Sequence, residues 1–181
     1  MNAASGHKYL IYQGIFQNVE YLETVANILR DYYSDIYFVM MGIDRRGVVP
    51  RIKEIYQNTV YIDYIPAPLH LEVTSNAYMG LLFYDPDSLN KVFCAPNKIF
   101  EYSCFGLPII GNNIPGLENT IGKAGAGICT EFKYENIKNA IGEIVSNYDQ
   151  FSANSLKFYN SVDNSVTMRK IVTDVGIYKY E

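Results

Sequence analysis

Six short apolar runs, alternating with segments of helical period, constrain this chain more than any other feature. They cover residues 9–13, 36–41, 59–62, 80–84, 108–111 and 127–129. Each is too short for a helix, and the second is apolar at every position, as a strand covered on both faces must be. Between the first two, Val19, Leu22, Val25, Ala26 and Leu29 recur at three- and four-residue spacing, which puts one apolar stripe on a helix over 18–33. Strands alternating with amphipathic helices predict parallel strands joined by right-handed crossovers, hence a three-layer α/β domain with a six-stranded parallel sheet.

Glycines and prolines punctuate the pattern. Gly14 and Gly42 are expected to end the first two strands, and Pro66 and Pro68 to bend the chain before a helix over 69–78. Further helices are expected over 49–57, 97–105, 116–123 and 134–148, with two more in the tail over 149–180 and a loop over 88–96. Residues 1–8 read as a disordered leader or tag remnant, and 9–181 as one domain.

Composition removes several function classes. A formal charge of −4 gives no basic field for nucleic acid. Three widely spaced cysteines, Cys94, Cys104 and Cys129, form neither a disulfide framework nor a metal clip, which points to a reducing, cytoplasmic setting. His7 and His70 are the only histidines, too few for zinc chemistry or a Ser-His-Asp triad. No apolar stretch approaches the ~20 residues of a membrane span. The 17 tyrosines beside no tryptophan read mainly as strand and helix packing residues with wet hydroxyls.

The most informative stretch is P-N-K-I-F-E-Y-S-C-F-G-L-P-I-I over 96–110. It resembles the P-N-K-[LI]-F-E-Y segment, with its following G-x-P-[VI]-[VI], of retaining group-1 glycosyltransferases, also called family four. The resemblance in element order runs from Tyr9 onward and covers only the C-terminal half of such an enzyme. It implies a Rossmann-like domain, one half of a GT-B fold, that binds a nucleoside-diphosphate sugar of UDP or GDP type as donor substrate without a metal or other cofactor. The partners it implies are the nucleotide sugar and an acceptor-binding N-terminal domain, in cis or on another chain. Without that domain the chain is expected to be inactive as a transferase. The implied setting is cytoplasmic polysaccharide biosynthesis, membrane-peripheral through the other half.

The implied site residues follow from the chemistry of the donor. Glu101 is expected to hold the ribose diol through its two oxygens, and Lys98 to face the diphosphate beside the helix opening at Pro96, Asn97, Lys98 and Ile99. Gly14 allows backbone to approach the diphosphate, with Gln17 close behind it. Tyr64 and Ile65, after the third strand, are placed at the base; Tyr64 is either a stacking ring or an ordinary loop tyrosine. Lys98 and Glu101 are the residues expected to carry the transfer step.

Two departures from the family pattern matter. Phe93 stands where a second glutamate often meets the sugar, so sugar contacts fall to backbone around Cys94–Pro96 or to Asp85, Asp87 or Ser88. The Arg and Lys that usually follow the first strand are missing, which shifts phosphate binding to Lys98 and to Arg45 or Arg46. Asp85-Pro86-Asp87 matches a metal-binding D-x-D of another fold, but reads as turn chemistry. Residues 116–123 miss the spacing of a phosphate-binding P-loop. Two rival readings stay open: a degenerate nucleotide-binding or scaffold module, and a self-contained sugar-nucleotide-modifying enzyme.

Overall fold

The computed structural model describes residues 6–176. Six parallel strands, β1 (Tyr9–Ile15), β2 (Tyr37–Ile43), β3 (Thr59–Ile62), β4 (Met79–Leu82), β5 (Ile109–Asn112) and β6 (Gly127–Thr130), form one sheet in the order β3-β2-β1-β4-β5-β6. The order reverses between β1 and β4, which opens a crevice at the carboxyl end of the sheet where α/β proteins bind ligands.

Side chains alternate across the sheet with the period of two that a strand imposes. Leu10, Tyr12, Phe38, Met40, Met79 and Leu81 enter one core, closed by α1 (Val19–Tyr32), α2 (Val48–Ile55) and α7 (Tyr134–Ser146). Tyr9, Ile11, Val39, Met41 and Leu82 enter the other. That face is closed by α3 (Leu71–Thr74), α5 (Asn97–Ser103), α6 (Pro115–Leu117) and Phe158 of α8 (Tyr148–Ser161). The expected three-layer α/β architecture is present, with α4 (Leu89–Val92) at the rim and α9 (Asn164–Asp174) closing the described chain.

Several boundaries move, each for a local reason. Gly14 and Gly42 do not end their strands. They pair with each other in register and carry the ladder on to Ile15 and Ile43, at φ values of 130° and 138°. Side chains rarely adopt such φ, and a Cβ on Gly42 would sit 2.0 Å from the Gly14 carbonyl oxygen. The helix expected over 69–78 shrinks to four residues. The Ser75 hydroxyl and the Asn76 amide both donate to the Glu72 carbonyl, at 3.1 and 2.8 Å, and compete with the helical ladder. Within the loop expected over 88–96 lies α4, and the helix expected over 116–123 is α6 running into a π-helical turn, Glu118–Gly122.

Of the leader expected over 1–8, residues 1–5 lie outside the described residues, whereas His7 stacks on Tyr37 at 4.4 Å and the Lys8 carbonyl accepts from the Tyr37 amide. Residues 177–181 also lie outside the description. Among the described residues no helix is long and apolar enough to cross a membrane.

Candidate functional site

The carboxyl ends of β1 and β2, the loop after β3, and the opening of α5 enclose a cavity of ≈ 500 Å³. Gly14, Tyr64, Ile65, Asn97, Lys98 and Glu101, all expected site residues, line it together, with Gln13, Gly42 and His70. Lys98 and Glu101 lie three apart on α5, and so project from one helix face. Tyr102, one position further, is fully buried against Gly80 of β4, which anchors α5 to the sheet.

Lys98 is held rather than free. Its Nζ donates to the Gln13 carbonyl at 2.8 Å and lies 5.7 Å from the ring centres of Tyr12 and Tyr84. Burial pushes its ammonium below the ordinary lysine range, a shift that Glu101 and then Cys94 oppose. Burial, reinforced by Asp85, pushes Tyr12 up to about 12, and burial first also raises Tyr84, so both rings stay neutral and offer only their faces to the cation. A ligand anion at this place would supply the counter-charge that the protein gives only in part.

Glu101 is likewise engaged. Its Oε2 accepts from Gln13 Nε2 at 2.5 Å and lies 3.4 Å from His70 Nε2. Of the two carboxylate oxygens expected to meet a diol, Oε2 thus already accepts from one protein donor, Gln13. Gln13 is itself fixed, because its Oε1 accepts from the buried Thr74 hydroxyl at 2.9 Å.

Not every expected residue joins the cavity. Ile99 is fully buried in the core beneath α5, and its amide donates to the Pro96 carbonyl, so it has nothing to offer a ligand. Pro96 is the N-cap of α5 and makes no side-chain cap. With α5 only seven residues long and its third amide spent, the Lys98 ammonium is the main positive charge here. Gln17 lies in a neighbouring cavity of ≈ 320 Å³ lined also by Asp85, Asn90, Cys94 and Lys98. Its carbonyl accepts from Arg46 Nη1 at 3.3 Å, which keeps that guanidinium beside the β1–α1 connection. Asp87 of the D-x-D stretch pairs with Lys91 at 2.7 Å. A wider cleft of ≈ 630 Å³ between α5 and the α8–α9 junction shares Asn97 and Glu101, but no lysine or arginine is among the described residues lining it, so it suits an anion poorly.

Gln13, His70 and Thr74 escaped the sequence reading. One signal was present: Gln13 is the polar residue that closes an otherwise apolar strand, just before a glycine. His70 and Thr74 carry no local signal, since only the fold brings α3 beneath α5.

No family model matches the sequence, and no curated protein matches it. Solved structures do. The chain superimposes on WaaG, a glycosyltransferase involved in lipopolysaccharide biosynthesis, with a TM-score of 0.65 at 15% identity over 88% of this chain and 44% of that one. It superimposes on sucrose-phosphate synthase from Thermosynechococcus elongatus with a TM-score of 0.71 at 15% identity, over 99% and 47%. For S. aureus MnaA in a co-structure with UDP the TM-score is 0.61 at 15% identity, over 86% and 42%. The chain spans less than half the length of each. At this identity the likeness establishes the fold, the Rossmann-like half of a GT-B architecture.

Proposed function

We propose that this domain is the donor-binding half of a glycosyltransferase, holding a nucleoside-diphosphate sugar while a second domain, in cis or on a partner chain, presents a hydroxyl acceptor. One observation carries the reading: a half-buried ammonium and a carboxylate, Lys98 and Glu101, meet on one cavity at the point where the strand order reverses. In this arrangement the diphosphate lies by Lys98 and the glycine pair of β1 and β2, the ribose by Glu101, and the base by Tyr64 and Ile65. The sugar extends past Lys98 into the neighbouring cavity, where Asp85 and Asn90 can bond hydroxyls. The similarity to a protein solved with UDP, and coverage of less than half of each related structure, support the same reading.

Departure of the nucleoside diphosphate builds negative charge on the oxygens nearest Lys98. A cation already desolvated and fixed there stabilises that charge without reorganising at the moment of reaction. Glu101 contributes by orientation, fixing the ribose and hence the anomeric carbon for attack. Nothing in this account calls on a metal.

Calorimetry with UDP and GDP tests it. Glu101→Ala and Lys98→Met are each expected to weaken binding by roughly 1–3 kcal/mol, the scale of a charge-assisted hydrogen bond. Equal affinity in wild type and both variants would remove the site, and no affinity for either nucleotide would leave the scaffold reading. A second reading, a self-contained sugar-nucleotide-modifying enzyme, gains from the His70–Glu101 pair, an acid–base couple in the same cavity. Turnover by the purified chain alone would favour it.

A further inference from the structure

Both charged residues of α5 are tied to one residue of β1. The Gln13 carbonyl takes Lys98, and the Gln13 side chain takes Glu101. Gln13 is 6% exposed, and its place is set by the pairing of β1 with β2, opposite Met41.

A buried carboxamide has two orientations, and here the Glu101 carboxylate, which only accepts, selects the one that turns NH2 toward it. The Thr74 hydroxyl carries a single proton and donates it to Gln13 Oε1 at 2.9 Å, the His70 carbonyl at 3.2 Å being its alternative acceptor. The NH2 group then faces Glu101. The flipped amide would set its oxygen 2.5 Å from a carboxylate oxygen, acceptor against acceptor. Thr74 is fully buried, so water does not compete for this proton.

We infer that Gln13, braced at its oxygen by Thr74, is a positioning residue: it fixes the Glu101 carboxylate through Oε2, leaves Oε1 alone for a ligand hydroxyl, and so sets selectivity for the ribose of the nucleotide. The inference rests on the nucleotide reading above. It separates the two α5 charges by the part of Gln13 that each uses. Replacing the Gln13 side chain loosens Glu101 but leaves Lys98 on a backbone carbonyl.

The test compares UDP, 2′-deoxy-UDP, 3′-deoxy-UDP and inorganic pyrophosphate by calorimetry on wild type, Gln13→Leu, Thr74→Val and Thr74→Ser. Wild type binds at least one deoxy nucleotide roughly tenfold more weakly than UDP, the value of one hydrogen bond to a charged group. In Gln13→Leu and in the isosteric Thr74→Val that penalty falls to about threefold or less, while Thr74→Ser keeps it. Pyrophosphate binds all four proteins alike. With Glu101→Ala measured alongside, a penalty that survives in Gln13→Leu and Thr74→Val but vanishes in Glu101→Ala overturns the positioning role and leaves the nucleotide reading standing. Pyrophosphate affinity lost in step with UDP also overturns it, because general damage would then explain the variants. If wild type binds no nucleotide, the reading itself fails and the inference with it.

Discussion

The two faces of the sheet are built differently. The face under α1, α2 and α7 is closed by helices of 14, 8 and 13 residues over a large hydrophobic cluster, with the buried Thr59 at its edge donating to the Tyr56 carbonyl. The face under α3 and α5, helices of 4 and 7 residues backed by α8, carries more buried polar groups: Gln13, Thr74, Ser103, and Ser155 of α8, whose hydroxyl donates to the Leu107 carbonyl at 2.8 Å. On this face the Tyr9 hydroxyl donates to the Val73 carbonyl. Long amphipathic helices give stability through area. Short helices end near the crevice, where their side chains can reach a ligand, and polar contacts must fix them because they bury less.

The helix openings differ in the same sense. The first amides of α2, on Val48 and Val49, donate to the Asp44 carboxylate at 2.9 Å each, whereas α5 opens at Pro96 without a side-chain cap. One opening is spent on stability. The other faces the cavity.

The strongest way to break this comparison is Phe38→Ala, on the first face. The side chain is fully buried, and its loss is expected to cost about 4 kcal/mol in denaturant unfolding while leaving UDP affinity of the folded protein unchanged. A matching loss of affinity would show that the faces are not separable. Gly42→Ala sits at the seam: positive φ and the Gly14 carbonyl in its way predict about 2–3 kcal/mol of destabilisation together with weaker UDP binding, since Gly14 lines the cavity. Stability lost without any change in binding would detach the glycine pair from the site. The smallest effect sharpens the role of Lys98 through pH. Its ammonium is the group proposed to meet the anion, and burial lowers its pKa, so UDP affinity should fall as pH rises through a range below that of an ordinary lysine. The total fall should not exceed the roughly 1–3 kcal/mol expected for losing that charge. Lys98→Met should flatten this limb of the profile, and an unchanged profile would assign it elsewhere.

Legibility followed the same division. The first face was open to sequence reading, because Leu22, Val25, Ala26 and Leu29 announce α1 by spacing and Ile137, Ile141 and Ile144 announce α7. On the second face, α5 was legible from the Gly106 and Pro108 that follow it, and its role from a resemblance to a known segment, whereas α3 was overextended, since the Ser75 and Asn76 side chains that end it compete through geometry rather than period. The glycines were noticed but misread as strand ends, because sequence does not reveal that two of them lie opposite each other in register. For the site, Lys98, Glu101, Gly14, Tyr64, Ile65 and Asn97 were named in advance and share one cavity, while Ile99 faces the core and Gln17 the adjoining pocket.

By itself the sequence determined the layer order and the helix that carries the two charges, because periodicity and turn chemistry are local properties of neighbouring residues. Only the tertiary structure decided what those charges touch. Gln13, His70, Thr74 and Glu101 come from three separate elements. Their meeting depends on strand register and on how far α3 and α5 sink onto the sheet, distances that packing sets and no spacing along the chain encodes.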